Sequence, residues 1–171
     1  MWSEFLYVIL AYYDTIEKRE VNFEIWLPLL IAILSLVFSF ITENDSIQFK
    51  FIMIIIPFIG ILLGFTLAAL TLLLSNNKLE TETMNYDTGR KVRGKNISMN
   101  KYLVILFSYI IIGETLLCIL FYIAYLFPFN LGKIPSAIAN TIFIFGFFHI
   151  LFATLRMVSN IYHITIGIKR E

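Results

Sequence analysis

The chain of 171 residues is 59% hydrophobic, with a mean hydropathy of +0.83 and a formal net charge of +1. So large an apolar share excludes an ordinary soluble domain, and the near-balance of charge excludes a whole-molecule electrostatic attraction to nucleic acid. A single cysteine, Cys118, excludes an intrachain disulfide.

In chain order, residues 2–20 are predicted to form an amphipathic helix. Trp2, Phe5, Leu6, Ile9, Tyr12, Tyr13 and Ile16 recur at helical spacing, with Glu4, Asp14, Glu17 and Lys18 between them. Such a helix either lies along the membrane interface or packs against the ends of a bundle. No basic n-region or small-residue cleavage site accompanies it, so the first spanning helix is expected to act as the insertion signal.

Four apolar stretches follow: Ile25–Ile41, Phe51–Leu74, Tyr102–Phe127 and Ser136–Leu155. Their only Asp, Glu, Lys or Arg is Glu114. A helix crosses the ~30 Å hydrocarbon layer in roughly 20 residues, so each is long enough to span it. The fold class expected is an all-α polytopic membrane protein, one four-helix domain over residues 1–171 with an N-terminal interfacial helix. Trp26 marks the interface at the head of the first span.

The second span carries Gly60, Gly64 and Ala68 at four-residue steps, a small-residue face suited to close helix packing within the chain or between protomers. Pro57 is expected to kink that helix. The segment from Ser75 to Lys101 is the one sizeable loop, with Asn76, Asn77, Gly89 and Gly94 as breakers and acidic Glu80, Glu82 and Asp87 preceding the basic run Arg90, Lys91, Arg93 and Lys95. That run is read as a topology determinant that touches anionic lipid, or as a docking site for a cytoplasmic protein. Binding of nucleic acid by the run is not expected, since it is short and lacks interleaved aromatics.

Orientation follows from Lys and Arg. The N-terminal segment, the central loop and the C-terminal end hold 11 of the 13 basic residues, leaving Lys50 and Lys133 on the other side. Both termini are expected in the cytoplasm, and the abundance of Ile, Asn and Lys suits the inner membrane of a bacterium with an AT-rich genome. The Asn96-Ile97-Ser98 sequon then has no glycosylation role.

Glu114 sits ~18 Å into the third span, where a carboxylate is costly unless protonated, paired or wetted. Cys118, Tyr122 and Tyr125 continue its face. In the fourth helix His149, Arg156 and His163 are seven residues apart, with Asn160 between the last two. A seven-residue step drifts only about 20° around a straight helix, so the set shares one face. Glu114 and His149 are therefore expected to form an intramembrane polar site, with Arg156, Asn160 and His163 lining an inner vestibule. The competing reading makes the same groups interhelical hydrogen bonds that hold helices in register.

The run Arg156-Met157-Val158-Ser159-Asn160-Ile161-Tyr162-His163 resembles the Arg–His signature of the HEPN ribonucleases, whose paired helices bring Arg and His to RNA. The rest of the chain departs from that soluble domain by being membrane-embedded, and no enzyme activity or catalytic residue is expected. Gly-x-x-x-x-Gly-Lys, Gly-x-Ser-x-Gly and His-Glu-x-x-His are absent from the sequence, and Cys and His are too few for a metal cage, so no cofactor is expected.

In size, span count and basic central loop the chain resembles the compact four-span proteins encoded beside bacterial antiviral systems, including the membrane subunit of Kiwa and the membrane accessory proteins of type VI CRISPR loci. The preferred reading is a homo-oligomeric, pore-like or membrane-perturbing effector in which Glu114, His149, Arg156, Asn160 and His163 line a hydrated path, and the resemblance implies a setting in antiviral defence. A non-conducting scaffold recruiting a partner through residues 75–101 is the second reading. A small transporter is third, for the four spans show no internal repeat.

Overall fold

The computed structural model describes residues 2–41, 46–75, 85–126 and 133–166. Asn76, Asn77, Lys78, Glu80, Glu82, Phe127, Lys169 and Arg170 lie outside the described residues. The elements are α1 (Trp2–Thr15), α2 (Lys18–Val21), a π-turn (Asn22–Trp26), α3 (Leu27–Ile41), α4 (Ser46–Ser75), β1 (Asp87–Val92), β2 (Lys95–Ser98), α5 (Met99–Leu126) and α6 (Lys133–Ile166). Four helical stretches are long and apolar enough to cross a membrane: Lys18–Ile41, Ile54–Ser75, Met99–Leu126 and Ile134–His163. The chain is an all-α multi-pass membrane protein.

The spans form a row in which α5 packs between α4 and α6, and α6 carries α3 on its far side. Of the most apolar window of α5, 44% is buried, against 17% in each of the first two spans and 22% in the last. Leu103, Leu106, Phe107, Ile110 and Phe121 of α5 are fully enclosed. Large apolar side chains such as Leu34, Phe38, Ile61, Leu72, Leu116 and Ile142 face outward, as lipid permits.

Close approach of α5 and α6 depends on two glycines that the sequence reading passed over. A Cβ at Gly113 would collide with the Ile150 side chain, and one at Gly146 would press on Leu117. The small residues of α4 do the opposite. Nothing lies within 4 Å of a Cβ at Gly60 or Gly64, and Ala68 is exposed. Among the described residues, the face expected to pack helices therefore meets no other helix. α4 also runs as one helix through Pro57.

The first span starts seven residues earlier than apolarity alone suggests, because Lys18, Arg19, Glu20 and Glu24 belong to its first turns. α1 stops at Thr15, whose hydroxyl donates to the Tyr12 carbonyl at 2.7 Å. Glu17 is extended (φ −86°, ψ 155°), and its amide donates to Glu20 Oε2 at 3.0 Å as the helix restarts. The predicted helix over 2–20 is thus two pieces. The first packs against α5 and β1, burying Ala11 and Tyr12 while Phe5, Leu6, Leu10 and Tyr13 stay exposed.

What was expected as a loop from Ser75 to Lys101 contains an antiparallel hairpin, β1 with β2, in which Lys91 faces Asn96 and Val92 faces Lys95. Its two-residue turn holds Arg93 at φ 49° and Gly94 at φ 77°, the pair of positive angles that matches strand twist. Gly89 at φ 69° sits where the register shifts between Asp87 and Lys91. The glycines are hairpin geometry, not breaks. Val92 and Ile97 are buried and join the core beside α1 and α5.

Candidate functional site

The densest polar arrangement lies at the hairpin end of the bundle, where α1, α2, the π-turn, β1, α5 and α6 converge. Glu20 is its hub. Arg90, from the hairpin, donates from Nη2 to Glu20 Oε1 and from Nη1 to Oε2, both at 2.7 Å. Arg156, from α6, donates from Nη1 to the same Oε2 at 2.6 Å. The Glu20 side chain is 13% exposed and those of the two arginines 6% and 7%, so these pairs are nearly withdrawn from water.

Each arginine has further partners. Arg90 Nη1 donates to the Thr15 carbonyl, and Nη2 lies 3.1 Å from Glu17 Oε1. Its guanidinium carbon stands 4.4 Å from the Tyr102 ring centroid. Burial is the largest influence and works against the Arg90 charge, but the hydrogen bonding to Glu20 together with the neighbouring Tyr102, Glu20 and Glu17 outweighs it and holds its pKa above the ordinary value. Arg156 Nε is 2.7 Å from Glu24 Oε1, and its guanidinium carbon lies 5.1 Å from the Tyr12 ring centroid.

Glu24 is buried in the π-turn and accepts from the Tyr12 hydroxyl through Oε2. Burial pushes the Tyr12 phenol far up, so it stays a neutral donor. The Tyr12 ring stacks on that of Tyr109, with centroids 3.5 Å apart.

His149 continues the network. Its Nδ1 is 2.5 Å from the Glu24 carbonyl oxygen and its Nε2 is 2.6 Å from the Tyr109 hydroxyl. A carbonyl only accepts, so Nδ1 carries the proton, and a neutral ring then accepts from Tyr109 at Nε2. The seven-residue step from His149 to Arg156 thus places both against Glu24, one at its carbonyl and the other at its carboxylate. Asn160 donates to the Tyr102 hydroxyl at 3.2 Å, on the edge of the same cluster.

The expected pairing of Glu114 with His149 does not occur. Glu114 is wholly enclosed and faces α4, where Thr66 Oγ1 lies 3.1 Å from its Oε1, with Thr154 of α6 beside it. Five residues separate Tyr109 from Glu114 on α5, and five separate His149 from Thr154 on α6. A five-residue step turns a helix by about 140°, which sends the two groups to different sides of the α5–α6 seam. Thr66 also donates to the Leu62 carbonyl at 2.9 Å and owns one hydroxyl proton. Both contacts close together when Glu114 supplies a proton of its own.

The vestibule residues divide as well. Arg156 and Asn160 join the cluster, where Arg156 is held by the carboxylates of Glu20 and Glu24. His163 lies beyond them, its ring 6.0 Å from that of Tyr162. In the basic run, Lys91 and Lys95 are exposed, and the guanidinium carbon of Arg93 is 4.8 Å from the Tyr7 ring centroid. Arg90 was expected to touch a partner or lipid, yet it is buried and committed to Glu20.

Sequence reasoning missed Glu20, Glu24, Tyr12, Tyr102 and Tyr109. One signal was present: Glu17, Glu20 and Glu24 are spaced by three and four, an acidic face entering an apolar span and needing cations from elsewhere. Among the described residues no group of three or more His, Cys, Asp or Glu is placed to hold a metal ion. No family model, curated protein or solved structure matches the chain.

Proposed function

We propose that the chain is the membrane subunit of a homo-oligomeric effector, pore-like or membrane-perturbing, controlled through its hairpin at the cytoplasmic face. One observation carries the reading: Glu20 is held at once by Arg90 of the hairpin and by Arg156 of a spanning helix. A partner that displaces the hairpin must draw Arg90 from Glu20 and alter the charge balance around Arg156. Removing one member of a buried ion pair costs about 3–5 kcal/mol. At 1.4 kcal/mol per tenfold, that biases a closed-to-open equilibrium by about two orders of magnitude or more.

The exposed face of Gly60, Gly64 and Ala68 supports assembly, since such a face suits the close approach of another helix in lipid. Glu114 is sealed between α4, α5 and α6, so a conducting path would form on the axis of the assembly or after the bundle opens. The setting in bacterial antiviral defence belongs to the same proposal and rests on size and span count.

The test is ion flux from liposomes carrying the assembled protein. The reading expects flux that rises when Arg90→Gln frees the hairpin. Vesicles that stay tight with every variant would favour the second reading, a scaffold that captures a cytoplasmic partner. The exposure of Lys91 and Lys95 on the hairpin favours that alternative, and reversing both charges would then abolish capture.

A further inference from the structure

A cavity of about 390 Å³ opens between the α2–π-turn segment and α6, lined by Arg19, Phe23, Phe152, Leu155 and Ser159, with Glu20, Glu24 and Arg156 forming its polar wall. Its two walls have the same polarity gradient. On α6, Phe152 and Leu155 lie on the span side and Ser159 about 10 Å beyond Phe152 toward the hairpin end. On the first span, Arg19 lies at the hairpin end and Phe23 one turn deeper. The π-turn from Asn22 to Trp26, closed by Leu27 N–H on the Asn22 carbonyl, sits at this wall, and such turns recur at binding sites.

Charge identifies the head of the guest. Both oxygens of Glu20 are taken by Arg90 and Arg156, and those of Glu24 by Tyr12 and Arg156. That leaves no free carboxylate on the wall to draw a cation. Arg19 is exposed at the mouth and has no ion-pair partner among the described residues, and the Ser159 hydroxyl is exposed opposite. A cation and a hydroxyl at the headgroup level, above an aromatic and aliphatic floor that faces hydrocarbon, match a phosphate with acyl chains attached.

We propose that this cavity seats one anionic phospholipid of the cytoplasmic leaflet, its phosphate on Arg19 and Ser159 and its upper acyl carbons against Phe23, Phe152 and Leu155. The volume accommodates the head and first methylenes, leaving the rest of the chains in the bilayer. Because Glu20 and Arg156 form the back wall, the lipid touches the ion-pair hub directly. This inference stands on the cavity alone and does not require the effector reading.

The test is native mass spectrometry of the full chain released from micelles containing phosphatidylglycerol or phosphatidylcholine. The site predicts one retained phosphatidylglycerol per chain and little phosphatidylcholine. Arg19→Gln should weaken retention about five- to tenfold, while Lys18→Gln, a neighbouring cation outside the cavity lining, should not. Phe152→Trp, which fills the floor without changing charge, should also reduce retention. Soluble glycerol 3-phosphate should fail to compete. Equal retention of both lipids, no loss with Arg19→Gln in a protein of unchanged thermal stability, or full competition by glycerol 3-phosphate would each overturn the proposal.

Discussion

Arg90 and Arg156 meet through one oxygen atom: Glu20 Oε2 accepts from the first at 2.7 Å and from the second at 2.6 Å. Two buried cations on one carboxylate tolerate little change. Glu20→Gln keeps the shape but removes the charge that lets the guanidiniums approach. We expect a loss of about 3–5 kcal/mol, read as a lower thermal midpoint of the detergent-solubilised protein. A variant as stable as the parent would show that this cluster does not hold the helices together.

Gly113 and Gly60 should behave oppositely. Gly113→Ala drives a Cβ into Ile150 and should cost about 1–3 kcal/mol, with part of the loss recovered by Ile150→Val. Gly60→Leu and Gly64→Leu meet no neighbour of their Cβ among the described residues and should leave the stability of the single chain unchanged. Size-exclusion chromatography with light scattering should show these two changes reducing assembly. An unaltered oligomer would mean that the exposed α4 face is not where copies meet.

Tyr109→Phe removes the hydroxyl that donates to His149 Nε2 and leaves a buried acceptor without its donor. The expected destabilisation is about 1–3 kcal/mol. Imidazole ¹⁵N shifts of the parent should show the Nδ1–H tautomer, fixed by the Glu24 carbonyl. An Nε2–H tautomer would contradict the hydrogen-bond directions inferred for this pair.

The hairpin should respond to acid through Asp87. The Gly89 amide first, and the Asn96 side chain second, hold its carboxyl below the ordinary carboxylate value. A depressed folded pKa contributes stability that is present above the unfolded value near 4 and is lost as pH falls through the folded value. Amide exchange across Asp87–Ser98 should therefore quicken below about pH 4, and Asp87→Asn should weaken that response. A flat profile in the parent would count against the turn geometry.

Much of the architecture is written in apolar length. Stretches of about 20 uncharged residues leave few alternatives to spanning helices, and the four expected spans correspond to α3, α4, α5 and α6. The head of the first span was illegible for the same reason: a hydropathy reading ends at Glu24, because the cations that neutralise Glu20 and Glu24 lie 70 or more residues away in sequence. The hairpin was hidden because its turn uses Arg93, a residue seldom found at positive φ. The face shared by His149 and Arg156 could be read from a seven-residue step, but periodicity assigns no partner to a face. Glu114 stands out in the sequence as a group lipid should not meet, and it is enclosed, whereas its neighbour Thr66, 48 residues earlier, carries no signal in the sequence.

Under the proposed function, the hairpin and α6 act on the bundle through one carboxylate, that of Glu20. The most direct measurement is a double-mutant cycle in ion flux, using liposomes that hold the assembled parent, Arg90→Gln, Arg156→Gln and the double variant. Coupling through Glu20 predicts that the double variant falls well short of the combined effect of the single changes. Strictly additive effects, or no flux from any of the four, would contradict it.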